Sequence, residues 1–242
     1  MAKEKNISID DARALVADEA LWPRVRDFLW DFAPQVHESW LEDVLATKNA
    51  ENAKNGKNAL RDLCALCGKE RNAPRVKRYI LESLGVEPCF HAFPKEDGSR
   101  ILLLDGATLE AIAKWLGAIV LADDLRRVMD GATVRALKAS LSGVYPEVFG
   151  FTAYFSGIDL KRKDAETRGE GAPSAENVVS TGLSMIDALL APLPEALVSR
   201  LKLKLPKDTS APAPLRSKPE ACGKALAKLL KLKFPEAYKL CC

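Results

Sequence analysis

Apolar residues recur along most of this chain at intervals of three and four, the spacing of one helix face, and prolines, glycines and acidic pairs cut that rhythm into segments. Asp10 and Asp11 precede a first run at 12–20. Pro23 sits where a first-turn proline is tolerated and opens a second run at 24–32, and Pro34 restarts the pattern through Val36, Trp40, Leu41 and Leu45. Short helices separated by prolines are the expectation. Residues 47–58 turn polar, rich in Asn and Lys, and read as an exposed loop or a frayed helix end. The rhythm returns over 59–67, stops at Gly68, and resumes after Pro74 through Val76, Tyr79, Ile80, Leu81 and Leu84 before Gly85 caps it.

One segment reads differently. Phe90, Ala92 and Phe93 precede Lys95-Glu96-Asp97-Gly98, and Ile101, Leu102, Leu103 and Leu104 follow it; an Asp-Gly pair supplies the positive φ of a tight turn, so a β-hairpin is expected near residues 89–104. Asp105 then caps a helix whose face is Leu109, Ile112, Leu116, Ile119 and Val120. The tetrad Asp105-Gly106-Ala107-Thr108 recurs as Asp130-Gly131-Ala132-Thr133, with Ala111/Ala136 and Leu116/Leu141 in register. Two copies read as two similar helix starts, with a duplicated helical hairpin as the alternative; stacked repeat folds need three or more.

Residues 161–175 carry no periodic apolar position and residues 206–219 hold four prolines, so both read as linkers or surface loops. The stretch between them suggests two helices broken at Pro192 and Pro194. The tail sets Leu226, Leu229, Leu230, Phe234 and Tyr238 among lysines, a basic amphipathic helix interrupted near Pro235. The expected fold is mainly α: a multi-helix globular body over 1–160 including the hairpin, a loop or linker at 161–175, a helical segment at 176–205 packing on the body, a Pro-rich linker at 206–219, and a basic C-terminal helix at 220–242.

Composition narrows the function classes. The chain has 242 residues, 48% hydrophobic, with 36 Lys+Arg against 33 Asp+Glu. The formal charge of +3 is too small to make nucleic acid the main partner. Divided along the chain, it becomes −4 for residues 1–200 and +7 for residues 201–242. A basic tail of that kind suits an acidic protein, a membrane surface or nucleic acid, unless its lysines are simply solvated. Acids among the first dozen residues and the lack of an apolar stretch there point away from a secretory signal and toward the cytoplasm. The longest uncharged stretch, 148–158, is eleven residues against the roughly 20 of a spanning helix, so no membrane insertion is expected.

Candidate chemistry is sparse. The chain has no Gly-rich phosphate loop, nucleophile elbow or His-Glu-x-x-His, and with only His37 and His91 a histidine-based catalyst has little to draw on. The acid pairs Asp10-Asp11 and Asp123-Asp124 point about 100° apart on a helix and read as helix starts or solvated faces. Cys64-x-x-Cys67 with Cys89-x-His91 offers three thiolates and an imidazole, a possible zinc tetrahedron; against it, Cys64 and Cys67 fall within an apolar helical pattern, where cysteine acts as a small hydrophobe. The six cysteines are expected as thiols, Cys241 and Cys242 without a defined role. No catalytic residue and no cofactor is expected.

Several phrases taken together resemble the YscK/SctK family of type III secretion proteins. The segment from Phe28 through Trp30, Phe32, His37, Ser39, Trp40 and Leu41 is similar to that family's aromatic and His-x-Ser-Trp-Leu motif. Residues 101–130, with Leu125-Arg126-Arg127, resemble its central region. Leu201-Lys202-Leu203-Lys204-Leu205-Pro206 and Phe234-Pro235-Glu236-x-Tyr238-x-Leu240-Cys241 resemble its two closing motifs. The Asn-rich stretch at 47–58, Glu38 where a proline is common, and the insertion at 161–175 depart from the pattern.

The resemblance implies a non-enzymatic cytoplasmic adaptor of an injectisome sorting platform, peripheral to the inner membrane. It would link the cytoplasmic domain of the inner-membrane ring protein SctD to the pod protein SctQ, and through it to the stator and export ATPase. Aromatic, Arg and Lys anchors make Trp40, Arg126, Arg127, Lys224, Lys228 and Lys231 the first candidates for partner contacts. A zinc-binding or nucleic-acid-binding helical regulator is the alternative reading.

Overall fold

The computed structural model describes residues 15–41, 73–87, 89–158, 160, 173–207 and 218–242. In chain order the helices are α1 (Trp22–Leu29), α2 (Ala73–Ser83), α3 (Gly106–Val120), α4 (Ala122–Arg126), α5 (Gly131–Ser140), α6 (Val148–Phe151), α7 (Ala175–Leu190), α8 (Glu195–Leu203), α9 (Pro219–Lys233) and α10 (Pro235–Cys241). Short 3₁₀ helices occur at Ala33–Gln35, Ser99–Leu103 and Thr152–Phe155. The fold is mainly helical, and no strand occurs among the described residues. The polar stretch expected at 47–58, the helix expected at 59–67, and most of both linkers lie outside the described residues.

The chain divides into two compact units, Met1–Phe93 with Leu193–Lys207, and Pro94–Pro192 with Asp208–Cys242. In the first, Pro23 lies in the opening turn of α1, where its missing N–H costs nothing. The Asp18 carboxylate just upstream accepts from the Ala20 and Leu21 amides at 3.1 and 2.9 Å. Helix α1 buries Val25, Phe28 and Leu29. Pro34 opens the 3₁₀ turn rather than a longer helix, and Val36 is extended. Helix α2 ends at Gly85, whose φ of +65° is the left-handed cap the glycine was expected to supply.

The second unit is organised around α3 and α7. Asp105 accepts from the Thr108 amide at 2.8 Å and starts α3, which buries Leu109, Ile112, Trp115, Leu116 and Ile119. Asp130 repeats the arrangement at 2.7 Å from the Thr133 amide, yet α5 buries only Leu137. The repeated tetrad is thus one capping device used at two helix starts of different burial.

Helix α7 is buried on nearly every side through its middle, including Ser180, Thr181 and Ser184. The Thr181 and Ser184 hydroxyls donate back to the Asn177 and Ser180 carbonyls, which satisfies them without water. Its contact with α3 is backbone on backbone. A Cβ at Gly117 would overlap the Val178 carbonyl, and one at Gly182 would overlap the Ala113 carbonyl.

The hairpin expected near 89–104 is not formed. Gly98 does turn with φ +70°, but the Asp97 carboxylate accepts the Ser99 amide at 2.8 Å and the chain winds into the 3₁₀ helix Ser99–Leu103. Ile101, Leu102, Leu103 and Leu104 are all buried, whereas a strand with one wet face would alternate. On the other side of the turn, Phe93 has φ +52°, which no strand accommodates. Burial of its ring, edge-on to Phe28 with centroids 5.7 Å apart, holds it there.

Candidate partner-binding surfaces

In the first unit, α8 brings two cations into an aromatic interior. Arg200 and Lys204 are each 2% exposed. The Arg200 guanidinium donates to the carbonyls of Phe28, Leu29 and Glu87 and lies 5.5 Å from the centres of both the Phe28 and Phe32 rings. Lys204 Nζ sits 4.8 Å from the Phe28 ring centre and 5.9 Å from that of Phe32. Carbonyl dipoles and ring faces replace the hydration that the guanidinium loses. Burial lowers the Arg200 pKa, the nearby Cys89 thiol pushing the other way.

Two segments that carry the family resemblance meet beside this pair. The Leu203 carbonyl accepts the His37 amide at 2.8 Å, the Leu205 carbonyl accepts the Trp40 indole N–H at 2.9 Å, and Ser39 Oγ accepts the Lys207 amide at 2.9 Å. Ser39 Oγ is also 2.9 Å from His37 Nδ1. Trp40 is therefore half-buried and tied to its own unit. Elsewhere in the unit, Trp22, Trp30 and Phe90 form an aromatic row with centroids 5.7 and 6.0 Å apart, Trp30 being 55% and Phe90 43% exposed.

In the second unit, Arg126 bridges helices. Its guanidinium donates to Asp123 at 3.1 Å, to the Phe149 carbonyl at 3.1 Å and to Thr152 Oγ1 at 2.9 Å. Arg127 is exposed, with only a loose 3.9 Å approach to Asp124. On α9 the core face is Cys222, Ala225, Leu226, Leu229 and Leu230, and Lys224, Lys228 and Lys231 point the opposite way, all exposed. Lys228 Nζ approaches the Phe155 ring at 5.9 Å. Lys233, at the end of the helix, is different. It pairs with Glu147 and lies 4.7 and 4.5 Å from the Trp115 and Phe151 ring centres.

The closing motif packs as a cap on the same unit. Pro235 starts α10 after Phe234 breaks α9, Ala237 and Cys241 are buried, and the Leu240 carbonyl accepts from Arg100 at 3.3 Å. The tail is thus part of the core through one face and surface through the other.

A shallow groove of about 570 Å³ between α5 and the start of α7 is lined by residues such as Ala132, Thr133, Ala136, Leu137, Ser140 and Ser174, with no carboxylate, imidazole or thiol among them. Among the described residues no group of three or more His, Cys, Asp or Glu side chains converges to hold a metal. Of the zinc candidates, Cys64 and Cys67 lie outside those residues. Cys89 is half-buried, and burial pushes its thiol up, partly offset by Arg200; His91 packs edge-on to Phe93 at 5.0 Å.

Sequence periodicity does not single out Arg200, Lys204 or the exposed Trp30 and Tyr154. A signal was present for the first two: Leu197, Arg200, Leu201 and Lys204 fall at i, i+3, i+4 and i+7, one helix face. Among the described residues, no helix is long and apolar enough to cross a membrane.

Comparison with known proteins gives one finding. The family model described as YOP proteins translocation protein K (YscK) matches residues 32–242, a span that holds the two hydrogen-bonded segments at 37–41 and 201–207, the central helices and the closing motif. No curated protein and no solved structure matches the chain. With the match running over most of its length, the chain belongs to the YscK family and is a type III secretion accessory protein.

Proposed function

We propose that this protein is a non-enzymatic adaptor of the secretion sorting platform, linking the cytoplasmic domain of the ring protein SctD to the pod protein SctQ, and so to the stator and ATPase. Family membership over residues 32–242 is the observation that carries the reading. Two surfaces of unlike chemistry support it. The first unit exposes Trp30 and Phe90, with half-buried Trp22 packed on Trp30, and the second exposes Arg127 with Lys224, Lys228 and Lys231. Exposed tryptophan is the residue type most enriched among interface hot spots, and exposed charge sets partner choice and encounter rate. An adaptor needs two such faces and no active site. In that role it works beside the inner membrane without entering it.

Co-purification tests the reading. The protein is expected to form separate complexes with SctQ and with the SctD cytoplasmic domain from the same organism, and a ternary complex when all three are mixed. Failure to bind either one at micromolar concentration removes the linking role.

A further inference from the structure

We infer that Lys224, Lys228 and Lys231 on α9, with Tyr154 on the 3₁₀ helix that Lys228 approaches, form a docking surface for an acidic protein segment. The three lysines are exposed and lie on the face of α9 opposite Leu226, Leu229 and Leu230, which are buried. No ion-pair partner engages them among the described residues, while Lys233 on the same helix has Glu147. Glu220 is the one acid on that helix and sits in its first turn, about one turn before Lys224.

Tyr154 supplies the second element. It is 55% exposed, its ring packs on Phe151 at 5.8 Å, and the adjoining Phe155 ring is the one Lys228 approaches. A half-exposed aromatic ring on a segment that α9 reaches through Lys228, together with cations that have no ion-pair partner among the described residues, has the composition of a hot spot with a charged rim.

The chemistry selects among three anionic occupants. A membrane-bound helix must offer its apolar face to lipid, and that face of α9 is already buried in the protein. Duplex affinity without base readout grows with the number of phosphates neutralised, and three lysines neutralise about three. An acidic protein segment needs only a few complementary charges and one apolar anchor, both of which are present. The adaptor reading enters only in naming which proteins are tried first.

The full-length protein is titrated, with amide shifts followed by NMR, against a poly-glutamate peptide, SctQ, the SctD cytoplasmic domain, phosphatidylserine-containing vesicles and a DNA duplex. Poly-glutamate is expected to shift residues around Lys224, Lys228, Lys231 and Tyr154. The triple change Lys224→Glu, Lys228→Glu, Lys231→Glu should weaken poly-glutamate and one of the two proteins by about tenfold or more, and flatten the salt dependence. Tyr154→Ala should weaken that protein but hardly affect poly-glutamate, and Lys138→Glu on α5 should change neither. If the triple variant does not fold, the three single variants are compared instead.

The inference is overturned if the lysine changes leave poly-glutamate and partner binding at wild-type strength, if the wild type binds neither poly-glutamate nor a partner, or if vesicles or DNA bind this face more tightly than the acidic proteins do. Binding of poly-glutamate at this face without binding of SctQ or SctD defeats the adaptor reading and leaves the surface supported.

Discussion

The two units of this protein solve core packing in opposite ways. The first brings charge inside: Arg200 and Lys204 lie among phenylalanine rings, and the guanidinium draws three carbonyls together. The second excludes even a methyl group, pressing α3 and α7 together at Gly117 and Gly182. One core depends on donors that reach across it, the other on the absence of side chains. They should therefore fail under different substitutions, the first when a polar group is removed and the second when a carbon is added.

The largest effect is expected from the carbon. Gly117→Ala or Gly182→Ala places a Cβ on a carbonyl of the facing helix, and a backbone cannot rotate away as a side chain can. The helices must separate, at a cost of about 3 kcal/mol or more in urea unfolding. Gly223→Ala in α9 is the control. Its added Cβ would meet Leu189 Cδ1 at 3.5 Å, an ordinary contact, so the gain in helix propensity should leave stability unchanged or raise it by about 0.5–1 kcal/mol.

Removing the donor is the matching test in the first unit. Arg200→Met keeps an apolar stem against Phe28 and Phe32 but strands the carbonyls of Phe28, Leu29 and Glu87. A loss of about 2–3 kcal/mol is expected from the denaturant midpoint. Arg200→Lys should recover little of it, because one ammonium cannot span the three acceptors that the planar fork reaches. Equal stability of the lysine variant and wild type would mean that charge, and not geometry, holds this core.

That contrast also explains which parts of the molecule were legible in its sequence. Helix α3, its Asp105 cap, the twin cap at Asp130 and the break at Pro235 depend on neighbours within a few residues, so periodicity and capping rules suffice. The region 89–104 depends on distant burial. Asp97-Gly98 turns as expected, yet the same turn can enter a 3₁₀ helix, and only the burial of Phe93 and of Ile101 to Leu104 decides between them. Arg200 reads as a solvated helix residue until the carbonyls 113 or more positions away are known. The basic face of α9 is visible as spacing, but the approach of Lys228 to the Phe155 ring is set only by the fold.

Tryptophans in the first unit separate packing from binding. Trp40→Phe keeps an aromatic ring but loses part of the half-buried indole and its N–H bond to the Leu205 carbonyl, for an expected loss of about 1–2 kcal/mol of stability. Trp30→Ala, at a ring that is 55% exposed, should leave the melting temperature nearly unchanged. If the aromatic row is one of the adaptor's two faces, the same change should weaken one partner by about 2 kcal/mol, or roughly thirtyfold. A Trp30 variant that melts early and binds normally would assign the row to folding.

The smallest effect separates two helices inside the second unit. Asp105 and Asp130 cap in the same way, but α3 is held by packing along its length and α5 by Leu137 alone. Asp130→Ala should therefore speed amide exchange across α5, while Asp105→Ala leaves the centre of α3 protected. The Asp130 carboxyl is held below its ordinary value, first by the Thr133 hydroxyl and then by the Thr133 and Ala132 amides. A depressed acid stabilises the fold above its unfolded pKa and loses that contribution as pH falls through the folded value. The exchange difference between wild type and Asp130→Ala should thus be full near neutrality and shrink in acid. A difference that persists at low pH would show that packing, and not the carboxylate, holds the start of α5.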